Sequence, residues 1–266
     1  MVVRRCLQLL LLGGAVFFTA CTSASGQLEI RANGEDFVRQ GFVSKDGWSI
    51  SFDQVSVNLQ AMTAYQTDPP FDASTGNTPE GENVALVGPM LVDLAAGDAD
   101  ANPILLKTLE ATAGQYNAIS WEMVNGSDGF TLHLIGTAEK DGTTIPFDIQ
   151  IDETYRYVCG EFVGDKRKGF VDPDSTGDVE MTFHFDHVFG DADTDLSEPL
   201  NVGALGFDPL AALASSGALS VTQADLEAGL SDDDFATLID TLGTLGHVGE
   251  GHCFEAKNGY TGHGAE

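Results

Sequence analysis

From residue 28 onward the chain alternates apolar and polar positions with a period of two, the signature of half-buried strands. Trp48, Ile50 and Phe52 point one way, and Val55, Val57, Leu59 and Ala61 continue with the opposite parity. One inserted residue turns every later side chain to the other face, so this predicts a bulge at Asp53–Gln54. Residues 66–83 are rich in Pro, Gly, Thr and Asn and read as a long surface loop. Val84 to Leu94 is a strand pair or one bent strand, interrupted by Gly88-Pro89. Ile119, Trp121 and Met123 share one face over 116–124, and Phe130, Leu132 and Leu134 alternate with Thr131, His133 and Ile135. Lys140-Asp141-Gly142-Thr143 has hairpin-turn composition. It leads into Ile145, Phe147, Ile149 and Ile151, with Asp148, Gln150 and Asp152 outward, and Tyr155 and Tyr157 extend the pattern to Cys159. The clearest alternation sets Val179, Met181, Phe183 and Phe185 against Glu180, Thr182, His184 and Asp186. About eight short strands separated by turn signals predict a mainly β fold, an antiparallel β-sandwich over 28–190.

The period changes in the last third. Asp208 to Ser216 reads as a short helix, Thr222 with Asp225 as the cap of a second, and Ser231-Asp-Asp-Asp234 as the cap of a third. The third carries Phe235, Leu238, Ile239 and Leu242 at helical spacing. Residues 191–266 are therefore expected to form a helical appendage with a Gly/His-rich C-terminal segment, packed on the sandwich without a long linker.

The N-terminus reads differently again. Arg4 and Arg5 precede an apolar stretch from Leu7 to Phe18, and small residues lead to Cys21. This is the three-part pattern of a secretory signal. Phe18-Thr19-Ala20-Cys21 resembles a bacterial lipobox, with Phe18 where that family usually has Leu. The resemblance implies that residues 1–20 are removed and that Cys21 carries a lipid. Residues 21–27 would then be a tether to the membrane, at the periplasmic or outer-surface side of the cell envelope. The apolar stretch is too short for a transmembrane anchor.

Charge narrows the partners. The chain has 12 Lys+Arg against 41 Asp+Glu, a net charge of −29, and removing residues 1–20 makes it two units more negative. Nucleic acid and anionic lipid surfaces attract basic patches and are excluded by sign. The acids either serve Ca²⁺ binding or keep the protein soluble in a saline medium. An apolar content of 42% fits a packed globular fold rather than a disordered acidic tail.

Cys6 leaves with the signal and Cys21 takes the lipid, so Cys159 and Cys253 remain in an oxidising compartment. One disulfide between them is the first expectation, and a pair of metal ligands the second.

Histidine carries the sharpest candidate chemistry, because neutral imidazole is the commonest transition-metal ligand. Four of six histidines come in two close pairs, His184 with His187 and His247 with His252. On an unbroken strand His184 and His187 face opposite ways, so they converge only if the strand ends or bulges near Asp186. The second pair lies among Gly246, Gly249 and Gly251, whose backbone can fold around an ion. The expected site joins His184, His187, His247 and His252 on one Cu, Zn or Fe ion, with Glu250 or Asp186 as an oxygen ligand. His133 is a further candidate, and His263 is not expected to join. The bland alternative is scattered surface histidines and ordinary turn glycines.

Asp172, Asp174 and Asp178 with Gly177 match the first half of an EF-hand calcium loop, but Phe183 replaces the bidentate Glu, which excludes a full EF-hand. A partial calcium loop or a plain turn remains, and the same holds for Asp191, Asp193 and Asp195. Nucleophile-elbow, zincin and phosphate-loop motifs are absent, so no catalytic residue is assigned.

Two segments carry a family resemblance: Lys45-Asp-Gly-Trp48-Ser-Ile-Ser-Phe52-Asp-Gln-Val55, and Val92-Asp93-Leu94 followed by Gly114-Gln-Tyr116-Asn-Ala-Ile119. Over roughly 28–150 the chain resembles bacterial envelope lipoproteins of unknown function with a prealbumin-like sandwich. More distantly it is similar to periplasmic copper-binding proteins associated with methanobactin. The resemblance implies a fold and a compartment; metal handling, and with it a metal-uptake partner at the envelope, stays open. No His-rich motif surrounds Trp48 or Trp121, so no ligand residue is carried over. Two function classes stay open: metal capture or delivery, and a non-catalytic surface or assembly module.

Overall fold

A computed structural model describes residues 24–160, 168–249 and 251–255. The expected export signal over 1–20, Cys21, Glu250 and His263 lie outside the described residues. Two sheets share one hydrophobic core. The smaller has the order β16 (Gly251–His252), β15 (Gly246–Val248), β13 (Thr176–Phe183), β1 (Ser25–Asn33) and β6 (Ile104–Thr112). The larger runs β14 (Leu219–Thr222), β10 (Thr143–Ile151), β9 (Leu132–Lys140), β3 (Ser49–Gln66), β8 (Ala118–Met123), β11 (Tyr155–Gly160) and β17 (Phe254–Glu255). Short strands β2 (Phe42–Val43), β4 (Glu82–Leu86) and β5 (Met90–Asp93) line the other flank of β3. A separate ladder pairs β7 (Gly114–Gln115) with β12 (Phe170–Val171).

The long strand β3 organises the larger sheet. Its first half pairs with β9 and its second with β8, and the exchange falls at Asn58. There the Asn58 amide donates to the Thr131 carbonyl, its carbonyl accepts from Val124, and its buried side chain donates to the Phe130 carbonyl. The register shifts between Phe52 and Gln54, at the bulge the parity change predicts. A second shift falls between Gln60 and Thr63, with Ala61 at φ 52°. Ala61 thus does not continue the inward row: Met62 and Ala64 take the core positions beyond it. Asp141 and Gly142, both at positive φ, make the two-residue turn that joins β9 to β10.

The sheets are mixed rather than wholly antiparallel. β1 pairs with β13 in parallel, and so does β10 with β14. Neither pair is joined by a hairpin; both are separated by long excursions, the kind of connection parallel pairing needs. The excursion from β10 to β14 contains helices α2 (Asp186–Phe189), α3 (Pro199–Gly203) and α4 (Asp208–Ala211). The helix expected to reach Ser216 stops early, because Ser216 and Gly217, at φ 57° and 84°, turn the chain into β14. Helix α5 (Gln223–Gly229) starts with a capping box of Thr222 and Asp225. Helix α6 (Asp232–Gly243) starts with the Ser231 hydroxyl accepting from the Asp234 amide, and buries Leu238, Ile239 and Leu242. A further helix, α1 (Glu35–Gln40), follows β1.

Aromatic rings fill the space between the layers. Phe52 packs on Phe147, Phe185 and Phe189 at centroid distances of 5.8, 6.0 and 6.2 Å. Trp121 meets Phe183 of the other sheet at 6.0 Å. Beyond α6 the chain joins the smaller sheet as β15 and β16 and then crosses to the larger as β17. The disulfide Cys159–Cys253 stands at this crossing. It closes a sequence separation of 94 residues, which the chain-entropy account rates at roughly 4–5 kcal/mol.

Removing that link by the double substitution Cys159→Ser, Cys253→Ser should lower the calorimetric midpoint by about 10 °C. Gly246→Ala should also destabilise, because an added Cβ would stand 2.6 Å from the Tyr157 ring and 3.0 Å from the Trp121 ring. A loss of about 1–3 kcal/mol in denaturant unfolding is the expected outcome.

Candidate metal centre

Strand β13 ends at Phe183 and the chain turns at once into the single helical turn of α2. That break lets His184 and His187 approach, with ring centroids 5.9 Å apart. Strand β15 pairs antiparallel with β13, setting His247 opposite Thr182 and its ring against His184 at 3.9 Å, nearly parallel. The turn through Gly249, at φ 54°, brings back β16 and sets His252 directly opposite His247. All four histidines of the two pairs therefore gather at one edge of the smaller sheet.

They are not equivalent. His184, His187 and His247 each offer one ring nitrogen such that the three atoms lie within 4.8 Å of one another. Among the described residues no other group of three His, Cys, Asp or Glu side chains converges in this way. His252 adjoins through ring contacts of 4.4 Å to His247 and 5.7 Å to His187, but it is exposed and stands outside the converging set. Asp186 is buried, with Oδ1 3.9 Å from Nδ1 of His184. Glu250 was the other oxygen candidate and lies outside the described residues.

Two neighbours that sequence reasoning missed stand against the rings. Oε1 of Glu35, at the start of α1, is 3.3 Å from Nε2 of His184. Glu35 adopts φ 60°, a conformation that costs an L-residue roughly 1–2 kcal/mol. The Thr244 hydroxyl is 2.9 Å from Nδ1 of His187 and donates its proton to the Thr241 carbonyl. It must then accept from Nδ1–H of His187, which leaves Nε2 of that ring with its lone pair. Neither residue carries a motif; Glu35 is far from His184 in sequence, and only the fold joins them.

Satisfaction of polar atoms is the telling feature. His247 is 3% exposed and neither ring nitrogen has a hydrogen-bond partner. The Thr244 backbone lies close enough to act on the ring's charge, without hydrogen-bond geometry. Oδ1 of Asp186 is likewise buried without a hydrogen-bond partner, with Nδ1 of His184 3.9 Å away. Each such atom costs about 1–3 kcal/mol, and native proteins rarely leave several together. Burial and the neighbouring imidazoles push the His187 pKa down to about 4 and that of His247 further still. Burial acts oppositely on Asp186 and raises its pKa. His187 and His247 are thus held as neutral imidazoles, the form that ligates metals.

The remaining candidates separate from this centre. His133 points away, paired through Nε2 with Oδ1 of Asp148 at 2.8 Å. Asp191 engages its carboxylate with the Asp193 amide and the Thr194 hydroxyl, and Asp195 accepts from Ser197. At 172–178 the Ser175 hydroxyl bridges the amide and carbonyl of Asp172, as in an ordinary turn.

Comparison with known proteins adds little. No family model matches the chain, and no curated protein does. Among solved structures, a candidate cell adhesion protein from Bacteroides eggerthii aligns at 15% identity over 75% of this chain. The alignment spans 57% of that protein's length, at a TM-score of 0.18. That score is too low to relate the folds.

The pKa shifts fix the sign of an acid effect on the metal-free protein. Unfolded imidazoles take up protons near pH 6.5, whereas folded His187 does so only near 4. The unfolded state therefore binds more protons in this window, and stability falls as pH drops from about 6.5 towards 4. Asp186 opposes this, one carboxyl against two imidazoles. The thermal midpoint should decrease from pH 7 to pH 5, and the double variant His187→Gln, His247→Gln should flatten that slope.

Proposed function

We propose that this chain is an exported, lipid-anchored protein that binds a transition-metal ion, Cu, Zn or Fe, for capture or delivery at the cell envelope. The observation that carries this reading is His247, buried between two other imidazoles with both nitrogens unpartnered. An ion accepting the lone pair of one of these nitrogens would satisfy that atom. The donor set of imidazoles with a carboxylate suits Zn, Cu and Fe rather than Mg or Ca. The spacing also fits: Zn–N bonds are about 2.0–2.1 Å, so nitrogens within 4.8 Å of one another need only a small inward movement. Glu35 would act as the carboxylate behind His184, taking Nε2–H so that Nδ1 faces Asp186 and the ion.

The disulfide fits an oxidising compartment, and the Cys21 lipid would hold the protein at the membrane. A surface or assembly module without metal would leave the buried orphan nitrogens of His247 without a purpose.

The test is metal analysis of untagged mature protein purified without chelator, followed by titration against a chromophoric competitor. One ion per chain is expected. His247→Ala should weaken affinity more than about 100-fold, and Glu35→Gln by about 10-fold. A metal-free protein that also takes up none of Zn²⁺, Cu²⁺ or Fe²⁺ at micromolar concentration would reject the reading.

A further inference from the structure

Resting on that reading, we infer that the ion passes to and from the buried histidines through one pocket, with the exposed His252 as its exchange ligand. A pocket of about 380 Å³ opens beside the centre, where the end of α6 meets β16 and β17. Ile239, Gly243, Thr244, His252 and Cys253 line it, and the carboxylates of Asp240 and Glu255 stand at its walls. It touches the centre at two points. Thr244 is the residue that holds Nδ1 of His187, and His252 is the ring packed 4.4 Å from His247.

The four histidines form a gradient of access. His252 is exposed, His184 and His187 are half-buried, and His247 is 3% exposed. His184 is backed by Glu35 and His187 by Thr244, so an approach along either of those rings meets another side chain. An ion arriving from the pocket meets the exposed ring of His252, which lines it. His252 and His247 face each other across one two-strand ladder, so a bond to the first can form before a bond to the second. Stepwise exchange of this kind spares a buried ion from losing all its ligands at once. On entry each metal–nitrogen bond that forms displaces a water bound to the ion, and the last step replaces the bond to His252 by one to a buried imidazole; release reverses the order, and no electron is transferred.

The walls suit a cation. Two carboxylates lower the electrostatic potential of the pocket, and the C-terminal end of the 12-residue helix α6 adds its partial negative charge. The disulfide holds His252 in place through its neighbour Cys253, so the exchange ligand stays next to the mouth.

The test loads the full mature protein with Zn²⁺ and follows transfer to an excess of chromophoric chelator by stopped flow. His252→Ala removes the exchange ligand. Gly243→Leu narrows the pocket instead: Gly243 lines it, and a Cβ there is in ordinary contact, 3.6 Å from the Glu255 carboxylate and 3.7 Å from the Tyr155 ring. Both variants should slow uptake and release about tenfold or more. Their equilibrium affinities should stay within about threefold of wild type, because uptake and release slow together. Gly243→Ala, too small to fill the pocket, should exchange at the wild-type rate and controls for the loss of glycine. Wild-type rates in both His252→Ala and Gly243→Leu, or faster exchange in His252→Ala, would overturn the inference. So would a loss of affinity in His252→Ala as large as in His247→Ala, which would make His252 a full ligand. Those outcomes leave the metal reading intact, whereas a wild-type protein that takes up no Zn²⁺, Cu²⁺ or Fe²⁺ removes both.

Discussion

The covalent link between Cys159 and Cys253 joins strand β11 of one sheet, next to the short edge strand β17, to a segment that has just left the other. The backbone pairing that holds this segment is meagre. β16 and β17 are two residues each, and ladders of that length are marginal alone. The disulfide supplies by covalent geometry what those ladders lack. It also fixes where β15 and β16 run, and hence where His247 and His252 stand. The Tyr155 and Tyr157 hydroxyls donate to the carbonyls of Ile239 and Leu242, which holds the end of α6 against the same strand. Gly246 admits close packing of β15 on the rings of Trp121 and Tyr157. Together these contacts over-determine the position of one short strand.

That over-determination bears on energetics. Neutral, unpartnered imidazole nitrogens and a buried carboxylate oxygen oppose folding, and so does the left-handed backbone at Glu35. A locally unfavourable arrangement persists only where its surroundings are strong enough to impose it. Here Phe185 and Phe189 anchor α2 in the aromatic layer of Phe52, Phe147 and Phe207, and the amide of the disulfide-bonded Cys253 donates to the Gly246 carbonyl of β15. Stability concentrated beside a destabilised polar cluster is the pattern of a preorganised binding site.

Long-range charge and local chemistry act in the same direction. A net charge of −29 gives the surface a negative potential that raises the local concentration of cations without selecting among them. Selection would come from the donor set, since imidazole nitrogens favour transition metals over Ca²⁺. The acids at 172–178 and 191–195 are tied up in their own turns or left apart, so abundance of carboxylate does not by itself create a site.

The strands were legible because alternation reports which face is buried, and burial is enforced locally along each strand. The bulge at Asp53–Gln54, the hairpin at Asp141-Gly142 and the caps of α5 and α6 were legible for the same reason: each is set by a few adjacent residues. Cysteine count and the compartment expected from the N-terminus reached the Cys159–Cys253 pairing. The sequence also implied that the two histidine pairs meet if the strand ends near Asp186. Strand order was not legible, because pairing in the parallel sense between β1 and β13 depends on a partner more than a hundred residues away. The ranking of the histidines was equally hidden. Which ring is buried, which is exposed, and that Glu35 and Thr244 stand against two of them are decided by distance in space. Local chain chemistry thus determined the elements and the residue types of the centre. Only packing between distant segments decided its geometry.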